Sequence, residues 1–180
     1  MKKNSYNQNK AYSLVEMIIV IAIIGVITVM AMVTVSIIRS ARAKDAAIRF
    51  DNEVGTLISK AKYIKANPSD PTKDMFHAAR IEKISSKYYV IYGYALKDGT
   101  DFEEDTEEKR VSLSPYCKVM YSPEETTGYG TEVDADGIVI VYNKSGLCLN
   151  GAGKYAFYKA NTDDVMANDF VRKNGSHQSR

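Results

Sequence analysis

Residues 17–38, MIIVIAIIGVITVMAMVTVSII, form an uninterrupted run without a charged side chain. A helix rises 1.5 Å per residue, so this run would be about 33 Å long and could cross a hydrocarbon core of about 30 Å. Its small and polar residues, Gly25, Thr28, Thr34 and Ser36, are tolerated in membrane helices, where small residues allow close helix–helix approach. The run therefore predicts one transmembrane helix.

One acidic residue, Glu16, directly precedes this run. With Ser13 it fits the S-x-x-E capping box, in which two side chains bind the first free amides of a helix. A carboxylate drawn into the bilayer costs about 2.5–3.5 kcal/mol, so a positive partner is expected. No basic residue follows Glu16 until Arg39. The partner would come from the chain start or from another subunit, and a cut before Tyr12 would supply an α-amino group.

The stretch KAYSLVEMIIVIAIIGVI, residues 10–27, resembles the class III signal of type IV prepilins and type II secretion pseudopilins. In that family a short basic leader ends in a small residue, an aromatic residue usually opens the mature chain, and a Glu is fifth after the cut. The resemblance implies that Ala11 precedes the scissile bond and that Tyr12 becomes the N-methylated N-terminus. It also implies that Glu16 neutralises the N-terminal amine of a neighbouring subunit. Ala11 departs from the glycine that the family usually has there.

Residues 1–43 also allow an alternative interpretation as an ordinary export signal, with an A-x-A cleavage site at Ala41-Arg42-Ala43. The apolar run is longer than the 7–15 residues of such a signal, and Arg39 and Arg42 crowd the cleavage site. Under this alternative the chain is a secreted or membrane-anchored binding module that uses residues 1–43 only as an export signal or anchor.

A helical pattern continues beyond the apolar run. One apolar stripe with alternating spacings of four and three residues passes through Ala43, Ala47, Phe50, Val54, Leu57, Ala61 and Ile64. Proline is absent before Asn67-Pro68, which is a stop signal. The pattern predicts one helix over residues 13–66, whose second half packs by its apolar face against a sheet.

The rest of the chain alternates strand-like runs with turn dipeptides such as Asp98-Gly99, Asp136-Gly137 and Ser145-Gly146. The predicted strands are 87–96, 109–113, 116–121, 137–143, 154–160 and 169–173, with Gly151-Ala152-Gly153 as a hairpin turn. One long helix followed by such strands indicates an α+β fold with an antiparallel sheet. Together with the resemblance, this gives a pilin-like fold of four parts. They are a cytoplasmic leader (1–11, removed), a transmembrane assembly helix (12–38), its amphipathic continuation (39–66) and an extracytoplasmic β-rich domain (67–180).

Little in the sequence points to catalysis. His77 and His177 are the two histidines, and neither neighbours a nucleophile motif. We expect no enzyme activity, no cofactor and no metal site. After residue 11 the chain carries 21 basic and 22 acidic residues, so general nucleic-acid binding is not expected. In an exported domain Cys117 and Cys148 could form one disulfide; the alternative is two buried thiols.

The resemblance implies a structural subunit of a pilus, a competence pilus or a type II secretion pseudopilus. Its partners would be other pilin or pseudopilin subunits, a prepilin peptidase, and an assembly platform with its ATPase. Before assembly the chain would cross the plasma membrane once, with its N-terminus cytoplasmic. After assembly it would lie in a cell-surface or periplasm-spanning filament.

Overall fold

A computed structural model describes residues 13–123, 130–160 and 162–179. One long helix, α1 (Leu14–Tyr63), precedes all the strands. These are β1 (Phe76–Ile84), β2 (Lys87–Ala95), β3 (Glu103–Glu104), β4 (Val111–Ser112), β5 (Cys117–Ser122), β6 (Thr131–Glu132), β7 (Ile138–Tyr142), β8 (Cys148–Asn150), β9 (Gly153–Lys159), β10 (Val165–Val171) and β11 (His177–Ser179). The α+β, pilin-like fold class is confirmed.

The chain divides into two compact units, residues 1–38 and 39–180. In the first unit the described residues are the start of α1, and the side chains of 14–37 are exposed all round. By length and composition α1 can cross a membrane, as the sequence predicts. The second unit contains the rest of α1 and every described strand.

The strands form two antiparallel sheets rather than the one expected. Sheet A has the order β3-β2-β1-β7-β8, with β4 also pairing with β2. Sheet B has the order β11-β10-β9-β5-β6. The predicted hairpin at Gly151-Ala152-Gly153 is wrong, because this segment carries the chain from β8 in sheet A to β9 in sheet B. Gly151 has φ 77°, and a Cβ there would lie 2.6 Å from the carbonyl oxygen of Val139.

One hydrophobic cluster joins the helix to both sheets. The predicted stripe on α1 is buried from Ala43 to Ala61, and Ala46 is buried as well. Ile64 is exposed, because α1 ends at Tyr63 and not at residue 66. The ring of Phe50 lies 4.7 Å from that of Tyr155 in sheet B. Sheet A contributes buried side chains to the same cluster, among them Ala79, Ile81, Tyr88, Val90, Ile140 and Tyr142.

Polar contacts also connect α1 to each sheet. The hydroxyl of Tyr92 on β2 donates to the Glu53 carboxylate at 2.5 Å. On the other side, Nδ1 of His177 on β11 lies 2.5 Å from Oδ1 of Asp51. The packed half of the helix is therefore held by an apolar stripe with a polar contact to each of the two sheets.

Candidate assembly site

The start of α1 carries the geometry of a capping box. The backbone N–H of Ser13 donates to Oε2 of Glu16 at 2.8 Å, and the N–H of Glu16 donates to Oγ of Ser13 at 3.2 Å. These bonds satisfy two amides that a helix start otherwise leaves without partners. A carboxylate in the first turn also interacts favourably with the helix dipole. The predicted local role of Glu16 is confirmed, and its Oε1 has no hydrogen-bond partner among the described residues.

The helix surface beyond Glu16 offers apolar side chains in every direction. Its polar side chains do not need outside partners: Thr28 Oγ1 donates to the carbonyl of Ile24 at 2.7 Å, and Thr34 Oγ1 donates to that of Met30 at 3.0 Å. Such internal bonds let a hydroxyl face a medium without water. At Gly25 nothing lies within 4 Å of where a Cβ would be, so another helix could approach its backbone there.

The two cysteines do not form the disulfide that the sequence allowed. Both are buried free thiols. Cys117 donates to the carbonyl of Ser114 at 3.0 Å, and Cys148 donates to that of Asn150 at 2.9 Å. Cys117 opens β5 in sheet B, whereas Cys148 lies on β8 in sheet A and is paired there with Tyr142. Burial raises the pKa of each thiol to about 11, so both stay protonated and weakly reactive at neutral pH.

A group of metal-ligating side chains lies elsewhere, where the sequence predicted none. Asp51 on α1, Asp169 on β10 and His177 on β11 each offer one ligand atom, and these atoms lie within 4.8 Å of one another. No local sequence motif marks these three residues as ligands, because they lie far apart in the chain.

Ala11 and Tyr12, the predicted cleavage and methylation residues, lie outside the described residues. The sequence around them is matched by a family model. Residues 6–37 match the prokaryotic N-terminal methylation motif. Comparison with curated proteins and with solved structures found no match.

The motif and the fold together are consistent with one class of protein. A methylation motif followed by a long apolar helix and antiparallel sheets fits a type IV pilin or pseudopilin. This chain therefore has the features of a precursor of that type, and the motif suggests a structural subunit rather than an enzyme. The apolar helix and the motif also suggest membrane anchoring before assembly.

Proposed function

We propose that this chain is a structural subunit of a type IV pilus-like filament: a pilus, a competence pilus or a type II secretion pseudopilus. A prepilin peptidase cuts between Ala11 and Tyr12 and methylates the new N-terminus. An assembly platform and its ATPase then move the subunit from the plasma membrane, where its N-terminus was cytoplasmic, into a cell-surface or periplasm-spanning filament. Other subunits of the same class surround its helix there.

The observation that carries this proposal is the position of Glu16. It is an exposed carboxylate at the start of a helix whose following residues are apolar and exposed. Its cap uses Oε2, which leaves Oε1 able to accept a bond from an amine. Inside a filament these apolar helices would pack against one another and exclude water. An ion pair between Glu16 and a neighbour's N-terminal amine would therefore be poorly screened and strong.

Burial of Ala43 weighs against the alternative export signal. Ala43 has no exposed surface and lies inside the continuous helix α1, next to the buried Ala46 and Ala47. Cleavage after Ala43 would cut this helix and remove a residue from the core of the second unit. A cleaved export signal ending at Ala43 would thus damage the domain that it exports, whereas an uncleaved anchor would leave that core intact.

Two substitutions separate capping from charge. Glu16→Gln keeps a side chain that can complete the capping box but removes the negative charge. Ser13→Ala removes the cap, at about 1 kcal/mol of helix stability, and keeps the charge. We expect Glu16→Gln to insert and fold normally while its incorporation into filaments falls at least tenfold. Ser13→Ala should incorporate nearly as well as wild type.

The measurement is the ratio of variant subunit in sheared filaments to variant subunit in membranes, quantified by immunoblotting. Equal ratios for Glu16→Gln and wild type would refute the charge-pairing role. A large loss in Ser13→Ala with normal Glu16→Gln would show that Glu16 acts as a helix cap alone.

A further inference from the structure

The sequence-distant residues Asp51, Asp169 and His177 meet where α1 lies over sheet B. In the antiparallel pairing of β10 and β11, Val171 lies opposite His177 and Asp169 lies opposite Ser179. Asp169 and His177 are thus diagonal neighbours on one face of the sheet. Asp51 approaches this face from the helix, and the His177–Asp51 contact links positions 126 residues apart in the chain.

The three ligand atoms lie close enough together to bind one metal ion. Nδ1 of His177 lies 2.5 Å from Oδ1 of Asp51, and the three ligand atoms lie within 4.8 Å of one another. Ligand atoms around a tetrahedral ion with bonds of about 2.1 Å are about 3.4 Å apart. Small side-chain rotations would bring this group to that spacing.

Asp169 is the least expected member of the group. It has no exposed surface, and neither of its carboxylate oxygens has a hydrogen-bond partner among the described residues. A buried, unpaired carboxylate is strongly destabilising. Within the described part of the chain no lysine or arginine forms an ion pair with Asp51 or Asp169. A bound cation or a proton would supply the missing partner.

We propose that Asp51, Asp169 and His177 bind one divalent transition-metal ion of the Zn²⁺ type, which fastens α1 to sheet B. Two carboxylate oxygens and one imidazole nitrogen form a donor set that such ions accept. The side chains of His177 and Asp51 are 25% and 29% exposed, so the ion can enter from solvent and keep a water as its fourth ligand. The buried Asp169 forms the floor of the site.

The test uses the full chain in detergent micelles, treated with EDTA, dialysed and titrated with ZnCl₂. Calorimetry should give one ion per chain, and the unfolding midpoint should rise by about 5–10 °C when Zn²⁺ is a hundredfold above its dissociation constant. Asp169→Asn and His177→Gln should each remove most of this shift. Asp163→Asn, a change at an exposed acid outside the cluster, should keep the whole shift.

Asp169→Asn is nearly isosteric and removes a buried charge, so it is expected to fold, which circular dichroism would verify. His177→Gln provides a second, independent variant. An absence of saturable binding in wild type would overturn the proposal, and so would an unchanged zinc shift in the folded variants. If a proton shared with Asp51 stabilises Asp169 instead, zinc will have no effect and Asp169→Asn will raise the midpoint without metal.

Discussion

At the residue scale, His77 on β1 is surrounded in a way that favours its neutral imidazole. It is largely buried, its ring lies 5.3 Å from that of Tyr94, and its Nε2 is 3.1 Å from the carbonyl oxygen of Ile64. Burial is the largest influence and lowers its pKa below 6.5. The hydrogen bond to the Ile64 carbonyl and the charge of Asp105 oppose this lowering of the pKa, and Lys60 acts in the same direction as burial. The folded protein therefore resists protonation of His77.

This predicts a pH dependence with a definite sign. Below the unfolded pKa of about 6.5 the unfolded chain binds a proton that folded His77 resists, so the stabilisation present above that value is lost as the pH falls. Between about pH 8 and about pH 5.5 the free energy of unfolding of wild type should fall more steeply than that of His77→Gln. Urea unfolding of both proteins at each pH measures this difference. Parallel curves would contradict it.

Glu16 and Asp169 differ in how far the sequence predicts the structural role of a carboxylate. Glu16 is conspicuous because it directly precedes an apolar run and stands three residues after Ser13, so its cap could be predicted. Asp169 lies in the short mixed segment 169–173, which predicted only a strand. Its alternation with Val171 implies a shared face, but its proximity to Asp51 and His177 depends on strand pairing that no local pattern encodes.

At the scale of elements, the packed half of α1 depends on its buried stripe. Phe50 is 1% exposed and contacts the rings of Tyr155 and Phe157, whereas Ile48 on the same helix is 57% exposed. Phe50→Ala should lower the free energy of unfolding by about 3–5 kcal/mol. Ile48→Ala, the matched control, should change it by less than about 0.5 kcal/mol. Chemical unfolding in detergent would measure both, and similar losses would contradict the packing described.

The same change, glycine to alanine, should have opposite effects on stability at two positions, one in the connection between the sheets and one in α1. Gly151 has a positive φ and faces the backbone of Val139 and Ile140, so Gly151→Ala should destabilise the domain by more than about 1 kcal/mol. Gly55 lies inside α1, where a Cβ would meet the ring of His177 at an ordinary 3.6 Å. Gly55→Ala should stabilise it by about 0.5–1 kcal/mol. Unfolding midpoints measure both, and a stable Gly151→Ala protein would contradict the first.

Strand β1 shows why part of the sheet arrangement escaped prediction. Its sequence, FHAARIEKI, contains two alanines and several charged residues, which have weak strand propensity. It is nevertheless the central strand of sheet A, because β2 and β7 pair with it on both sides. Tertiary pairing, and not local preference, makes this segment a strand. The stronger runs at 87–96 and 154–160 were predicted because their β-branched and aromatic residues signal strands directly.

At the scale of the whole molecule, the two units bury their apolar surface differently. Residues 39–180 close a core of their own between α1 and two sheets. Residues 14–38 leave their large apolar side chains about half exposed or more, and they can bury them in lipid or against other helices. The proposed move from membrane to filament would require this combination of a self-sufficient domain and an exposed apolar helix.

N-terminal sequencing and intact-mass analysis of protein from its native membranes would show whether this chain is processed as a prepilin. We expect a chain that begins at Tyr12 with one added methyl group on its α-amine. Such a chain would supply the amine that Glu16 is proposed to pair with. A chain that begins at Lys44, or one that keeps residues 1–11, would show that the protein is not processed as a prepilin.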